Sequence, residues 1–217
     1  MGGLFADTTS APGFFVTVDG PNGSGKTALA AEMGAALARL GHAVHATAQP
    51  SPTALGETVR SSETGLRGRA LACLVAADRH HQVETEIVPA LRRGDVVICD
   101  RYVESSLVLQ RLDGVSVGYI LAINSGIQRP DVRVRLRADE AVLATRLASR
   151  PPDAARRFER AEGAPARELA FYEQADELLA GDHDLPPQLY DTTTTEALVL
   201  GETVARMVHQ RFTERSR

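Results

Sequence analysis

The 217-residue chain has two cysteines, one lysine and no apolar run long enough to cross a bilayer. Cys73 and Cys99 stand in apolar surroundings without metal-ligand spacing, which excludes a cysteine-built metal site and reads both as reduced core residues. The opening Met1-Gly2-Gly3-Leu4-Phe5-Ala6-Asp7 lacks a charged region followed by an apolar core, so no secretory signal is read and the cytoplasm is the expected compartment. A net charge of −4 supplies no global basic field, so neither a nucleic acid polymer nor an anionic membrane is an expected partner. There is no internal repeat, and the only biased stretch, Thr192 to Thr195, reads as the opening of the last helix.

The scarcity of lysine makes the one that remains informative. Every other basic residue among the 24 is arginine, yet Lys26 sits within Gly20-Pro21-Asn22-Gly23-Ser24-Gly25-Lys26-Thr27. A compact ammonium reaches between two phosphates where a planar guanidinium cannot lie. The segment fits G-x-x-x-x-G-K-[ST] in full, after the apolar run Phe14 to Val18 and before a helical pattern from Ala28 to Leu40. Gly20, Gly23 and Gly25 can take backbone angles closed to other residues, so successive N–H groups of Asn22, Gly23, Ser24 and Gly25 can turn inward around a phosphate chain. The helix N-terminus adds partial positive charge, Lys26 would contact the β- and γ-phosphates, and Thr27 would ligate Mg²⁺. A protein that consumes ATP or GTP is expected.

At this length one domain with a single core is expected, and 43% hydrophobic with 24% charged residues is ordinary for a globule. Strand patterns at Phe14 to Val18, Ala43 to Ala48, Val96 to Cys99, Val132 to Leu136 and Gln188 to Tyr190 alternate with helical ones. That alternation predicts a three-layer α/β/α sandwich of P-loop NTPase type, with a five-stranded parallel sheet and a helical lid. Gly41 closes the helix after the phosphate loop, and Gly94 ends a long helix from Gly68 to Arg93 that contains Pro89. Residues 1–12 read as a flexible tail and 13–217 as the domain, with a lid at about 149–166 where prolines interrupt an arginine-rich run.

A second constellation lies at the end of the third strand, where Asp100-Arg101-Tyr102 follows Val96 to Cys99. The carboxyl ends of strands form the ligand crevice of a doubly wound sheet, which turns Asp100 toward Mg²⁺ and Arg101 toward the transferring phosphoryl. Taken with Asp19-Gly20, with Asp78-Arg79 on the long helix, with Val83 to Leu91 and with Arg129-Pro130-Asp131 before a strand, the chain closely resembles the thymidylate kinase family from Phe14 to Arg206. The resemblance implies a nucleoside monophosphate kinase fold, ATP with Mg²⁺ as donor, and a lid that closes over the phosphates. It implies that Arg101 contacts phosphates, that Arg79 contacts the acceptor base, and that Asp19 reaches the acceptor sugar. Gln49, Ser106 and Gln110 are placed beside them. The lid arginines would come from Arg146, Arg150, Arg156, Arg157 and Arg160, with Arg150 and Arg157 assigned to catalysis and Arg146 to ATP. Glu104 is a candidate aid to Mg²⁺ or to the acceptor hydroxyl. Pairing into a homodimer is also implied, with Leu71 to Ala77 as a candidate face.

Departures from the family gather at the acceptor. Where it carries a phenylalanine one turn before the helix arginine, this chain has Val75, and where it carries a tyrosine beneath the sugar, this chain has Leu109. Its Arg-Glu-Pro-Gly-Gly-Thr loop is here Ala48-Gln49-Pro50-Ser51-Pro52-Thr53, without the arginine or the glutamate. Two acceptor readings follow: dTMP held by a drifted pocket, or a modified nucleoside or nucleotide of a secondary pathway. A nucleotide switch that hydrolyses ATP for a partner is the remaining alternative, and the chain carries no signal for its water-positioning residue. His80 and His81 are adjacent on a helix, so they point about 100° apart and do not form a metal pair.

Overall fold

A computed structural model describes residues 3–6, 12–62, 65–149 and 164–215. In chain order the elements are β1 (Phe14–Asp19), α1 (Lys26–Arg39), β2 (Val44–Ala48), α2 (Ala54–Ser62), α3 (Gly68–Gln82), a π-helical turn (Val83–Ile87) and α4 (Val88–Arg93). They continue with β3 (Val96–Asp100), α5 (Val103–Leu112), α6 (Val117–Ile123), β4 (Val132–Arg137), α7 (Glu140–Ala148), α8 (Ala164–His183), β5 (Gln188–Asp191) and α9 (Ala197–Arg215). The strands form one parallel sheet in the order β2-β3-β1-β4-β5.

Burial explains that order. β1 and β3 are buried at every position, as strands covered on both faces must be, whereas the edge strands β2 and β5 are half exposed. One core packs Phe14, Val16 and Val18 against Leu29, Met33 and Leu37 of α1 and Val204 and Val208 of α9. On the other face, Phe15, Val97 and Cys99 meet Leu107 of α5 and Ala175 and Leu179 of α8. The β1–β3 register sets Val18 beside Asp100, so the phosphate loop and the Asp-Arg-Tyr turn leave the sheet side by side.

The helix expected from Gly68 to Arg93 changes hydrogen-bond register partway. Pro89 has no N–H to give, and just before it Val88 N–H bonds to Val83 O, five residues back, so the wide turn absorbs the missing donor. Of the stretch read as a tail, residues 3–6 contact the domain: Leu4 is buried, Phe5 bridges Ile127, and Ala6 N–H donates to Ile127 O at 2.8 Å. Two apolar residues suffice to dock that segment. Cys99 is buried as expected, but Cys73 is on the exposed side of α3 with its Sγ 3.1 Å from the Tyr119 hydroxyl. The threonine run precedes the last helix rather than opening it, since Thr192 N–H still bonds Arg137 O along the sheet and α9 starts at Ala197. Among the described residues no helix is long and apolar enough to cross a membrane.

Candidate active site

β1 delivers the chain into the phosphate loop, where Gly20, Gly23 and Gly25 hold φ of 153°, 85° and 86°. At these angles a side chain would be strained, and at Gly20 a Cβ would also meet Leu136 O at 2.6 Å. Lys26 opens α1 and is buried, with its Nζ folded back to donate to Gly20 O at 2.8 Å and Pro21 O at 2.9 Å. Burial, with Arg101 nearby, lowers its pKa to about 7 against the pull of Asp100, Glu168 and Asp19.

Across the loop mouth, Thr27 Oγ1 donates to Asp100 Oδ2 at 2.6 Å. Asp100 Oδ1 is buried and has no partner among the described residues. An unpaired carboxylate oxygen beside a hydroxyl is a donor set that suits Mg²⁺, which binds through one or two carboxylates and keeps several waters. Arg101 takes φ 72°, a left-handed angle costing an arginine on the order of 1–3 kcal/mol, with its N–H anchored to Val18 O at 2.9 Å. Its guanidinium donates to Ser105 Oγ at 3.2 Å and to Asn22 Oδ1 at 2.6 Å.

Asp19, expected to reach the acceptor sugar, contacts the turn that carries Arg101. It is wholly buried, and its two oxygens accept from Tyr102 N–H at 2.9 Å and Ser105 Oγ at 2.6 Å. Each oxygen thus holds the turn that carries Arg101. Burial first, then the charge of Glu104, raises its pKa to about 6. Glu104 does not face the Thr27–Asp100 pair either, because it accepts from Arg133 Nε at 2.5 Å in the interior, where Arg133 also reaches Asp176 at 2.9 Å. Arg146, on α7, braces the back of the phosphate loop, reaching Gly23 O at 3.3 Å and Thr192 O at 2.7 Å. Arg150, Arg156, Arg157 and Arg160 lie outside the described residues.

The expected acceptor residues come together. Gln49, Val75, Arg79, Ser106, Leu109 and Gln110 line one largely apolar recess. Arg79 is buried in its wall, donating to Gln49 Oε1 at 2.8 Å, to Ser106 Oγ at 2.9 Å, to Tyr102 O at 3.2 Å and to Asn124 Oδ1. Four of its five donor hydrogens are therefore used within the protein. Gln110 Oε1 is buried without a partner among the described residues. The neighbouring cleft runs from Lys26 and Thr27 past Asp100 to Arg60 and Glu86, and it meets the recess at Gln49, Pro50 and Arg101.

Asp78 belongs to the Asp78-Arg79 pair singled out in the sequence, whereas Arg60 and Gly56 belong to no motif. Asp78 accepts from Ser51 N–H at 2.8 Å and Ser51 Oγ at 2.5 Å, and Arg60 donates to Pro50 O and Ser51 O at 2.9 Å each, which shapes the loop that lacks the usual arginine. Gly56 packs there so closely that a Cβ would lie 2.0 Å from Ser51 O. The only sequence hint is that a loop deprived of its arginine is followed by a helix bearing one. His80 Nε2 lies 3.0 Å from Ile123 O and His81 is exposed, and among the described residues no three His, Cys, Asp or Glu side chains cluster to hold a metal.

Known proteins resemble the chain in sequence and in fold. The sequence profile described as thymidylate kinase matches residues 18–178. The probable thymidylate kinase of Pyrobaculum calidifontis is 41% identical over 141 residues, covering 63% of this chain and 70% of that one. The thymidylate kinase of Clavibacter michiganensis subsp. michiganensis is 36% identical over 187 residues, covering 82% of this chain and 85% of its own. In fold, the chain is similar to the solved thymidylate kinase from Candida albicans, with a TM-score of 0.75 over 94% of each chain and 17% identity.

Proposed function

Because the chain belongs to the thymidylate kinase family and is an ATP-dependent nucleotide kinase, we propose that it moves the ATP γ-phosphoryl to a pyrimidine nucleoside or nucleotide seated between Val75 and Leu109. The observation that carries the acceptor assignment is Gln110, which lines the same recess as Arg79 and Ser106 and whose buried Oε1 has no partner among the described residues. A buried carbonyl without a donor costs about 1–3 kcal/mol, and a base edge bearing an N–H would satisfy it. With one donor hydrogen left, Arg79 reads the base by a single hydrogen bond while its other contacts hold it still.

In this reading the loop N–H groups of Asn22 to Gly25 and the Lys26 ammonium hold the donor phosphates, and Arg146 steadies the loop from behind. Thr27 and Asp100 would hold Mg²⁺, which neutralises developing phosphate charge. Arg101, rigidly presented by its left-handed backbone and by Asn22 and Ser105, stabilises the charge on the transferring group. Arg150 and Arg157 are assigned to the same charge, and residues 13–217 to a single kinase domain. Asp19 acts from beneath by fixing the Arg101 turn.

Two acceptors fit the proposal, and the walls separate them. Val75 and Leu109 offer a smooth apolar surface without an aromatic face or a ring beside the sugar, which favours a modified nucleoside or nucleotide of a specialised pathway over dTMP. Measuring kcat/KM with Mg-ATP against dTMP, other nucleoside monophosphates, free nucleosides and sugar-modified pyrimidine nucleosides decides it. A lead of about a hundredfold for dTMP, worth about 2.7 kcal/mol, returns the chain to dTMP. Substantial ATP hydrolysis without an acceptor would point instead to a switch.

Pairing of two copies through α3 is part of the proposal. Leu71, Ala72 and Ala76 are buried in the chain's own core, which leaves the side bearing Cys73 and Ala77 as the available face. Light scattering that finds a monomer at micromolar concentration removes this element.

A further inference from the structure

Glu168 stands in the early turns of α8, 146 residues beyond the phosphate loop, and its carboxylate is buried. Both of its oxygens are committed to one residue: Oε2 accepts the Asn22 backbone N–H and Oε1 accepts Asn22 Nδ2, each at 2.7 Å. This grip determines which way the Asn22 amide faces. With Nδ2 turned to the carboxylate, Oδ1 is presented on the far side, where it accepts from Arg101 Nη2 at 2.6 Å. The result is a relay of charge-assisted hydrogen bonds, carboxylate to amide to guanidinium, running from a helix that lines neither cleft to the arginine that borders both.

A buried carboxylate is costly to keep unless its lone pairs are used, and here they are used on the loop that holds the donor phosphates. A neutral side chain of the same shape could not reproduce the pattern. An amide at position 168 would set its own N–H against one Asn22 donor, and Asn22 would have to flip and turn Nδ2 toward Arg101, donor against donor.

We propose that Glu168 is a positioning residue for phosphoryl transfer, holding the phosphate loop and Arg101 in register through the orientation of the Asn22 amide. It rests on the phosphotransfer activity of the family and not on the identity of the acceptor. Three variants test it, each compared with the native protein in thermal unfolding and in single-turnover transfer from Mg-ATP to the best acceptor of the panel above.

Glu168→Gln should unfold within a few degrees of the native protein, yet lower kcat by about thirtyfold or more with a smaller change in the KM for ATP, as expected for an interaction that matters in the transition state. Asn22→Asp alone should be impaired, because two carboxylates then face each other. Combined, the two changes rebuild the relay with its roles exchanged: the amide introduced at position 168 donates to the carboxylate introduced at position 22, whose other oxygen accepts from Arg101. The double variant should recover kcat at least tenfold over Glu168→Gln. Equal or greater damage in the double variant overturns the proposal, as does native kcat in Glu168→Gln. A fall in unfolding temperature with no change in kcat assigns Glu168 to stability alone and overturns it as well.

Discussion

Thr27 and Asp100, 73 residues apart, meet at 2.6 Å through Oγ1 and Oδ2, tying the first turn of α1 to the end of β3. The bond leaves Asp100 Oδ1 buried and unpaired, aligned by its own partner. Such a donor set suits the proposed Mg²⁺ role.

Asp100→Asn keeps the shape and the Thr27 bond but removes the charge. Transfer should fall by about 100-fold or more, the scale on which preorganised electrostatic groups act, and the Mg²⁺ concentration at half-maximal rate should rise. A Mg²⁺ titration checks this, and an unchanged midpoint would contradict the assignment of the oxygen to the metal.

Lys26 titrates where its binding role can be watched. With a pKa of about 7 in the free protein, it is half neutral at neutral pH, and bound triphosphate favours the ammonium. Binding of ATP above pH 7 should therefore take up a proton, and affinity should weaken as pH rises from 7 toward 9. Calorimetry at pH 8 in two buffers of different ionisation enthalpy measures the uptake, which should shrink at pH 6. Lys26→Arg, whose guanidinium stays charged throughout, should lose this dependence and nearly all transfer.

The parts of this machinery that can be read from sequence are those whose contacts are local. β1 shows itself as an apolar run interrupted only by Thr17 before Asp19, and the loop as glycines spaced for positive φ before a helix. Val75, Arg79, Ser106, Leu109 and Gln110 share a recess because helical spacing puts them on facing sides of α3 and α5. What stays hidden depends on distant partners. Asp19 ends β1, yet which group consumes its oxygens is set by Tyr102 and Ser105, more than eighty residues on. Glu104 is near Asp100 in sequence, but the helix turns it toward Arg133. The same distance conceals Glu168 behind Asn22 and Asn124 behind Arg79. Pro89 is visible in the sequence, but the five-residue hydrogen bond that accommodates it is not.

The buried Asp19 gives a stability prediction with a definite sign. Its folded pKa of about 6 lies above the ordinary 3.8, so between those values the folded state binds more protons than the unfolded chain. Stability contributed by this group is full below pH 3.8 and is lost as pH rises through 6. Asp19→Asn removes that titration, so the stability of the variant relative to the native protein should improve between pH 5 and pH 7.5. Urea unfolding of both proteins at the two pH values measures the difference, and parallel profiles would show that Asp19 ionises as freely folded as unfolded.

The last prediction concerns the sugar side of the acceptor recess. Leu109 borders the recess on α5 with Ser106 one turn before it. On the proposed placement, a ribose 2′-hydroxyl or a bulkier substituent would meet the branched aliphatic side chain of Leu109, which yields space at little cost. Leu109→Tyr fills that space with a ring. If the native enzyme prefers a ribonucleoside or a sugar-modified acceptor, the variant should shift kcat/KM toward the matching deoxy sugar by tenfold or more, about 1.4 kcal/mol. Val75→Phe, which restores a flat wall for the base, should raise affinity for both sugars alike, since stacking is worth about 1–3 kcal/mol and does not sense the 2′ position. The two changes thus separate base from sugar. If Leu109→Tyr leaves the ratio of ribo to deoxy acceptors where it was, the sugar does not lie against Leu109 and the placement of the acceptor in this recess must be redrawn.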